Sequence, residues 1–202
     1  MAKNLFLTVV LLFASFHFIQ AQSTSDSQNN EGFSPNLGFS INYSPTSFRF
    51  WGKMENTQQF YLSATLNHSE FELGFANFQL GSQLIVASQI EFPIDGLDGP
   101  REKRTGYGLV PLIVNLPFSS SGNTPFLTTS AGFIITDVSF PNTLGTRFNY
   151  IIDIGLGYQF FRSGSLSYQF GYKLHHLSNG NSSIENPGID SHMLFLKVLF
   201  DL

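Results

Sequence analysis

His176 and Ser178 stand two residues apart in the run His176-Leu177-Ser178-Asn179, and Asp190 follows twelve residues after the serine. These residue types carry acyl transfer. A serine hydroxyl is a poor nucleophile until an imidazole takes its proton, and a carboxylate can orient that imidazole. On an extended chain His176 and Ser178 share one face, roughly 6.5–7 Å apart along the strand, a gap a leaning imidazole spans. A tight hairpin would bring Asp190 alongside to accept from the other ring nitrogen. Asn179, Gly180 and Asn186 could supply amide donors to a developing oxyanion. The chain has no cysteine, which removes disulfides, thiolate metal sites and a cysteine nucleophile.

The elements that must hold these residues are strands. From Arg147 to Phe160 the even positions read Phe148, Tyr150, Ile152, Ile154, Leu156, Tyr158 and Phe160, while the odd ones are polar or small apart from Ile151. That period of two is the strand signature, and the segment exceeds the roughly ten residues a tilted membrane strand needs. Leu166 to Ser178 and Leu194 to Leu202 alternate likewise. Weaker alternation runs through Leu37–Tyr43, Phe60–Leu66, Phe71–Leu80, Leu84–Phe92, Tyr107–Leu116 and Phe126–Ile135. These segments make nine, one too many for an even-stranded barrel. Either Leu37–Tyr43 is not a spanning strand or Phe71–Phe92 is misdivided. The expectation is eight strands.

Composition favours a membrane setting. Charged residues are 12% of the 202 and aromatics 15%, with 23 phenylalanines, against about a quarter charged in ordinary soluble domains. Mean hydropathy is nevertheless close to neutral, as expected of a surface alternating greasy and polar. A net charge of −4 argues against nucleic acid as a partner. Lys3 followed by the apolar run Leu5 to Ile19 reads as an export signal cleaved after Ala21. Residues 22–35 are then a polar segment and residues 36–202 the barrel. No later stretch approaches about 18 apolar residues, so no membrane helix is expected. Backbone groups in lipid must all be paired, which calls for a closed antiparallel barrel. Tyrosine and phenylalanine near strand ends, and Phe200 close to the terminus, fit the outer-membrane type. A lipocalin-like barrel or sandwich would instead turn the apolar face inward.

Parity also assigns faces. His176 and Ser178 continue the even, outward series of Leu166–Leu174, and Asp190 and His192 that of Leu194–Leu202. With a periplasmic C-terminus, Arg162–Ser165 is a short inner turn and Asn179–Ile189 an outer loop, so the cluster lies at outer-leaflet height facing lipid. Polar residues there are costly and usually functional. His175, Arg147, Asp153 and Lys173 fall on the lumen face, as an interior polar network. Ser182 and Ser183 read as loop serines, His192 as an interfacial histidine, and Arg101–Arg104 as an external loop.

His176-Leu177-Ser178-Asn179 with Asn186-Pro187-Gly188-Ile189-Asp190-Ser191 resembles the signature of the lipid A 3-O-deacylases, grouped with the acyloxyacyl hydrolase-like outer-membrane proteins. The resemblance implies an eight-stranded barrel with a serine-histidine-acid triad on its outer surface. It implies hydrolysis of the 3-O-linked ester of lipid A in lipopolysaccharide without metal or cofactor. By motif, Ser178 is the nucleophile, His176 the base, Asp190 the acid, and Asn179 an oxyanion ligand. The chain departs from the family pattern in carrying Asp190 where glutamate is usual, and Asn179-Gly180-Asn181 where Asn-Ala-Gly is common. Two rival readings are a non-catalytic small barrel, structural or adhesive, and a phospholipase acting on outer-leaflet lipid.

Overall fold

The structure is a computed structural model describing residues 34–202, apart from 75, 95–98, 120–122 and 164. The expected leader (1–21) and the polar segment as far as residue 33 lie outside the described residues. Strands β1 (Asn36–Ser44), β2 (Ser47–Phe48), β3 (Gln58–Leu73), β4 (Ala76–Pro93), β5 (Arg101–Pro117), β6 (Thr124–Phe140), β7 (Thr146–Ser163), β8 (Leu166–Ser178) and β9 (Ile189–Asp201) follow in order. Neighbours pair antiparallel. Pairing of β1 with β9, from Asn36↔Asp201 to Tyr43↔Leu194, closes eight long strands into a barrel. The two-residue β2 extends the line of β1 along β9.

The division of the first half differs from the sequence expectation. Leu37–Tyr43 is a full barrel strand within β1, and the misdivided stretch was Phe71–Phe92. Residues 71–73 end β3, the chain reverses at Gly74 (φ 64°), and residues 76–93 run as one strand. The Phe71–Phe78 pair stacks across this hairpin, centroids 5.1 Å apart. Two strands joined by so short a turn leave no polar gap, so their alternation merges into one pattern. Arg101–Arg104 is likewise no loop but the start of β5, where Arg101 pairs with Glu91 at 2.9 Å. At the rim both faces are polar, and alternation ceases to mark the strand.

The apolar series points outward. Ile152, Ile154 and Leu156 are 55–62% exposed. A soluble sandwich would have buried them for roughly 1.5–3 kcal/mol each; a barrel in lipid leaves them facing hydrocarbon. The lumen is polar. Asp153 accepts from His175 Nδ1 at 2.6 Å, Lys173 Nζ at 3.0 Å and Ser130 Oγ at 2.8 Å. His175 Nε2 lies 3.2 Å from the Tyr61 hydroxyl, which donates to Gln59, and Gln59 Nε2 donates to Ser191 Oγ at 2.6 Å. The network therefore ties β7 and β8 across the lumen to β3 and β9. Arg147, assigned to this network by parity, instead lies exposed at the rim and donates to Thr136 O at 2.8 Å. Asp153→Asn would leave the Lys173 charge buried without its counter-ion. We expect it to cost about 3–5 kcal/mol, read as a lower denaturant midpoint of the folded barrel.

Candidate active site

Strands β8 and β9 pair so that His176 stands directly opposite Asp190, both on the outer side. His176 Nδ1 and Asp190 Oδ1 are 2.6 Å apart. The imidazole is partly exposed and the carboxylate almost wholly covered, their side chains 20% and 6% exposed. Ser178 lies two residues further along the same face, half-buried at the end of β8 and opposite Tyr150 of β7. Its hydroxyl has no hydrogen-bond partner among the described residues, so the serine is not joined to His176 in this arrangement. Nucleophile–base contacts are often long in unliganded sites and tighten on substrate binding.

The cover over Asp190 comes from the other end of the chain. Pro45, which has no N–H to give a ladder, follows the last residue of β1; β2 then rejoins β9 with Ser47↔Ser191 and Phe48↔Asp190. The next residues turn over the carboxylate. Asp190 Oδ2 accepts from the backbone N–H groups of Phe50, Trp51 and Gly52 at 3.1, 2.6 and 2.5 Å. Hydrogen bonds to a charged acceptor contribute about 1.5–3 kcal/mol each, so one oxygen is held by the turn and the other is free to orient His176. The Trp51 indole stands edge-on to the imidazole, centroids 5.9 Å apart. The turn is pinned below by Lys53 and Met54 N–H donating to Gly188 O at 2.6 and 3.1 Å. It is pinned at its base by Ser47 Oγ, which donates to Met54 O and accepts from Thr57 N–H, both at 2.9 Å.

Gly52 is required by this crossing. A Cβ there would lie 2.0 Å from Gly188 O and 2.4 Å from its carbonyl carbon, both backbone atoms. Gly52→Ala must therefore lift the turn off Asp190. A misplaced orienting group costs on the order of 100-fold in rate, and we expect a loss of that size, with retained barrel circular dichroism, in any reaction that uses the His176–Asp190 pair.

The Asn179–Gly188 loop closes the site on its outer edge. Gly180 and Asn181 take left-handed φ of 63° and 59°, and Ser182 N–H returns to Asn179 O at 3.2 Å, a type I′ turn. The side-chain amides expected to serve an oxyanion are engaged in this loop. Asn179 Nδ2 donates to Glu185 O at 2.6 Å, Asn186 Oδ1 accepts from Asn179 N–H at 3.0 Å, and Asn186 Nδ2 donates to Asn181 Oδ1 at 3.0 Å. Asn179 is fully buried. Of the three residues, Gly180 and Asn186 keep a backbone N–H without a partner among the described residues, and Gly180 is the nearer in sequence to Ser178. The loop is tied to its β6–β7 neighbour by Glu185 N–H and Ser183 Oγ, both donating to Leu144 O, at 3.0 and 2.5 Å. His192, one outward position below Asp190, is stacked by Phe48 at 4.2 Å and bonded to the Tyr172 hydroxyl.

Sequence reasoning brought together His176, Ser178 and Asp190 but missed the Phe50–Gly52 turn. Backbone donors carry no side-chain signature, and the one available signal was the Pro45 break followed by Gly52.

The model of the family described as lipid A 3-O-deacylase (PagL) matches residues 15–198. The crystal structure of the outer-membrane enzyme PagL has the same fold, with a TM-score of 0.57 and 16% identity, covering 79% of this chain and 97% of that one. No curated protein sequence matches. The family match extends through β8, the loop beyond it and nearly all of β9, the segments that hold His176, Ser178 and Asp190. The chain belongs to the lipid A 3-O-deacylase family.

Proposed function

We propose that the protein is an outer-membrane serine esterase that hydrolyses the 3-O-linked acyl ester of lipid A, with lipopolysaccharide of the outer leaflet as its substrate. The leader at residues 1–21 would export it from a Gram-negative cytoplasm, and the 179–188 loop would face outward. Ser178 Oγ attacks the ester carbonyl while His176 Nε2 takes its proton. Asp190 keeps the proton of His176 on Nδ1 and stabilises the imidazolium that forms. The Gly180 N–H, two residues from Ser178, is a free donor for the oxyanion, and the side chains of Asn179 and Asn186 hold the turn that presents it. Collapse of the tetrahedral intermediate breaks the bond to the sugar oxygen, which leaves with the proton from His176. Water then attacks the acyl-serine with His176 again as base, releasing the fatty acid and regenerating Ser178.

One observation carries the reading above the others. The two oxygens of Asp190 divide their work, Oδ1 at 2.6 Å from His176 Nδ1 and Oδ2 under three backbone N–H groups. A merely structural carboxylate on a lipid-facing wall has no need to orient an imidazole beside a free serine. Mass spectrometry of lipid A from cells expressing the protein tests it. Wild type should remove one acyl chain and Ser178→Ala none. Intact lipid A with wild type, in cells whose lipid A carries the 3-O ester, would leave the non-catalytic barrel as the better reading.

A further inference from the structure

The turn over Asp190 acts through its backbone, so its side chains are free for another task. Phe50 and Trp51 are 68% and 74% exposed, with their rings 5.1 Å apart. Trp51 lies on the barrel's outer side, where its ring meets the outward His176, and Phe50 lies beside it. Any residue but proline would supply the N–H groups that Asp190 accepts; nothing in that anchoring calls for an indole. Yet the anchoring fixes the Trp51 backbone 2.6 Å from the carboxylate and leaves the indole edge-on to His176 at 85°. The same outer face continues down β7 and β8 as hydrocarbon, through Ile152, Ile154 and Leu174. An ester carbonyl at Ser178 puts the first carbons of its acyl chain beside His176, and therefore within reach of this flat apolar surface. Aromatic side chains bury on the order of 150–250 Å² each, ample to grip several methylenes.

We propose that Trp51, with Phe50 beside it, is a specificity-determining residue that contacts the acyl chain next to the scissile bond and selects long-chain lipid esters. The inference rests on the hydrolase reading above. It predicts a change in selectivity rather than a general loss, because Trp51→Ala keeps all three backbone donors to Asp190.

The folded full chain in detergent micelles, assayed on butyryl and lauroyl nitrophenyl esters, tests it. Trp51→Ala should lose at least about tenfold in kcat/KM on the lauroyl ester, mostly through KM, and less than about twofold on the butyryl ester. Trp51→Phe should recover most of the difference. Equal losses on both esters would make the indole a support for His176 and overturn the inference, as would no loss on either. A wild type inactive on both esters, or Ser178→Ala as active as wild type, would overturn the hydrolase reading and this inference with it. Unaltered selectivity in an active Trp51→Ala enzyme overturns this inference alone. Trp51 is the only tryptophan in the chain, so its fluorescence gives a second readout. In Ser178→Ala protein, a lauroyl ester brominated near its carbonyl should quench it saturably, and a lack of quenching contradicts the contact.

Discussion

Ser178→Ala is expected to lower kcat for ester hydrolysis on the order of 10⁴- to 10⁶-fold while the barrel stays folded. Residues that act as one catalytic unit fail together, so the residual rate reflects binding and oxyanion contacts alone. His176→Ala should fall as far, and the double variant no further than either single one. That non-additivity separates a catalytic unit from two unrelated surface residues, whose effects would multiply. Ser178 is half-buried at a strand end and its hydroxyl makes no hydrogen bond among the described residues, so removing the hydroxyl leaves no orphaned partner. Single-turnover rates in micelles, with circular dichroism to confirm folding, provide the measurement. A Ser178→Ala variant retaining a tenth of the rate would be incompatible with a serine nucleophile.

Asp190→Asn is expected to cost about 10⁴-fold in kcat, and the geometry supplies the reason. Three N–H groups converge on Oδ2. In the variant, a side-chain NH2 group placed there would meet three donors with nothing to accept. The amide must therefore turn its oxygen to the 50–52 turn and its NH2 group to His176 Nδ1. That reverses the polarity of the 2.6 Å contact. The imidazole then carries its proton on Nε2 and has no lone pair there to receive the serine proton. The variant is nearly isosteric and should fold, and nitrogen NMR of His176 should report the exchanged tautomer. A tautomer unchanged from wild type with activity intact would sink the orienting role of Asp190.

Together with Gly52→Ala, these variants divide the site into two mechanical parts. Ser178 and His176 belong to one strand and need only its pleat. Asp190 belongs to a second strand but takes its position from a third segment, 138–140 residues earlier in the chain. Damage to the turn should reach the chemistry only through the carboxylate. Gly52→Ala is accordingly expected to be milder than Asp190→Asn, because a displaced carboxylate still favours the same tautomer.

Much of the architecture was legible because a strand's two faces are written in adjacent residues. The series Phe148 to Phe160 declares a wall between lipid and lumen without reference to any other segment. It also carries parity to the strand ends, which is how His176, Ser178 and Asp190 are read as outward. The same logic failed where faces stop differing in polarity. At Arg101–Arg104 both sides of β5 are wet, and at Arg147 the strand has left the lumen for the rim. It failed differently at Phe71–Phe92, where a hairpin too short to interrupt the pattern hides between two strands.

From the residues alone follow an all-β chain, its closure in lipid, the outward face of the candidate triad and the chemistry those residue types can perform. Whether Asp190 meets His176 depended on the tertiary structure. It turns on the register of β8 against β9, which the Asn179–Gly188 loop sets by folding its own amides inward. The tertiary structure alone also brought the Phe50–Gly52 turn over the carboxylate. Every residue except proline has a backbone N–H, so no residue type announces that three of them will converge on one oxygen. Only the path of the chain across β9 decides it.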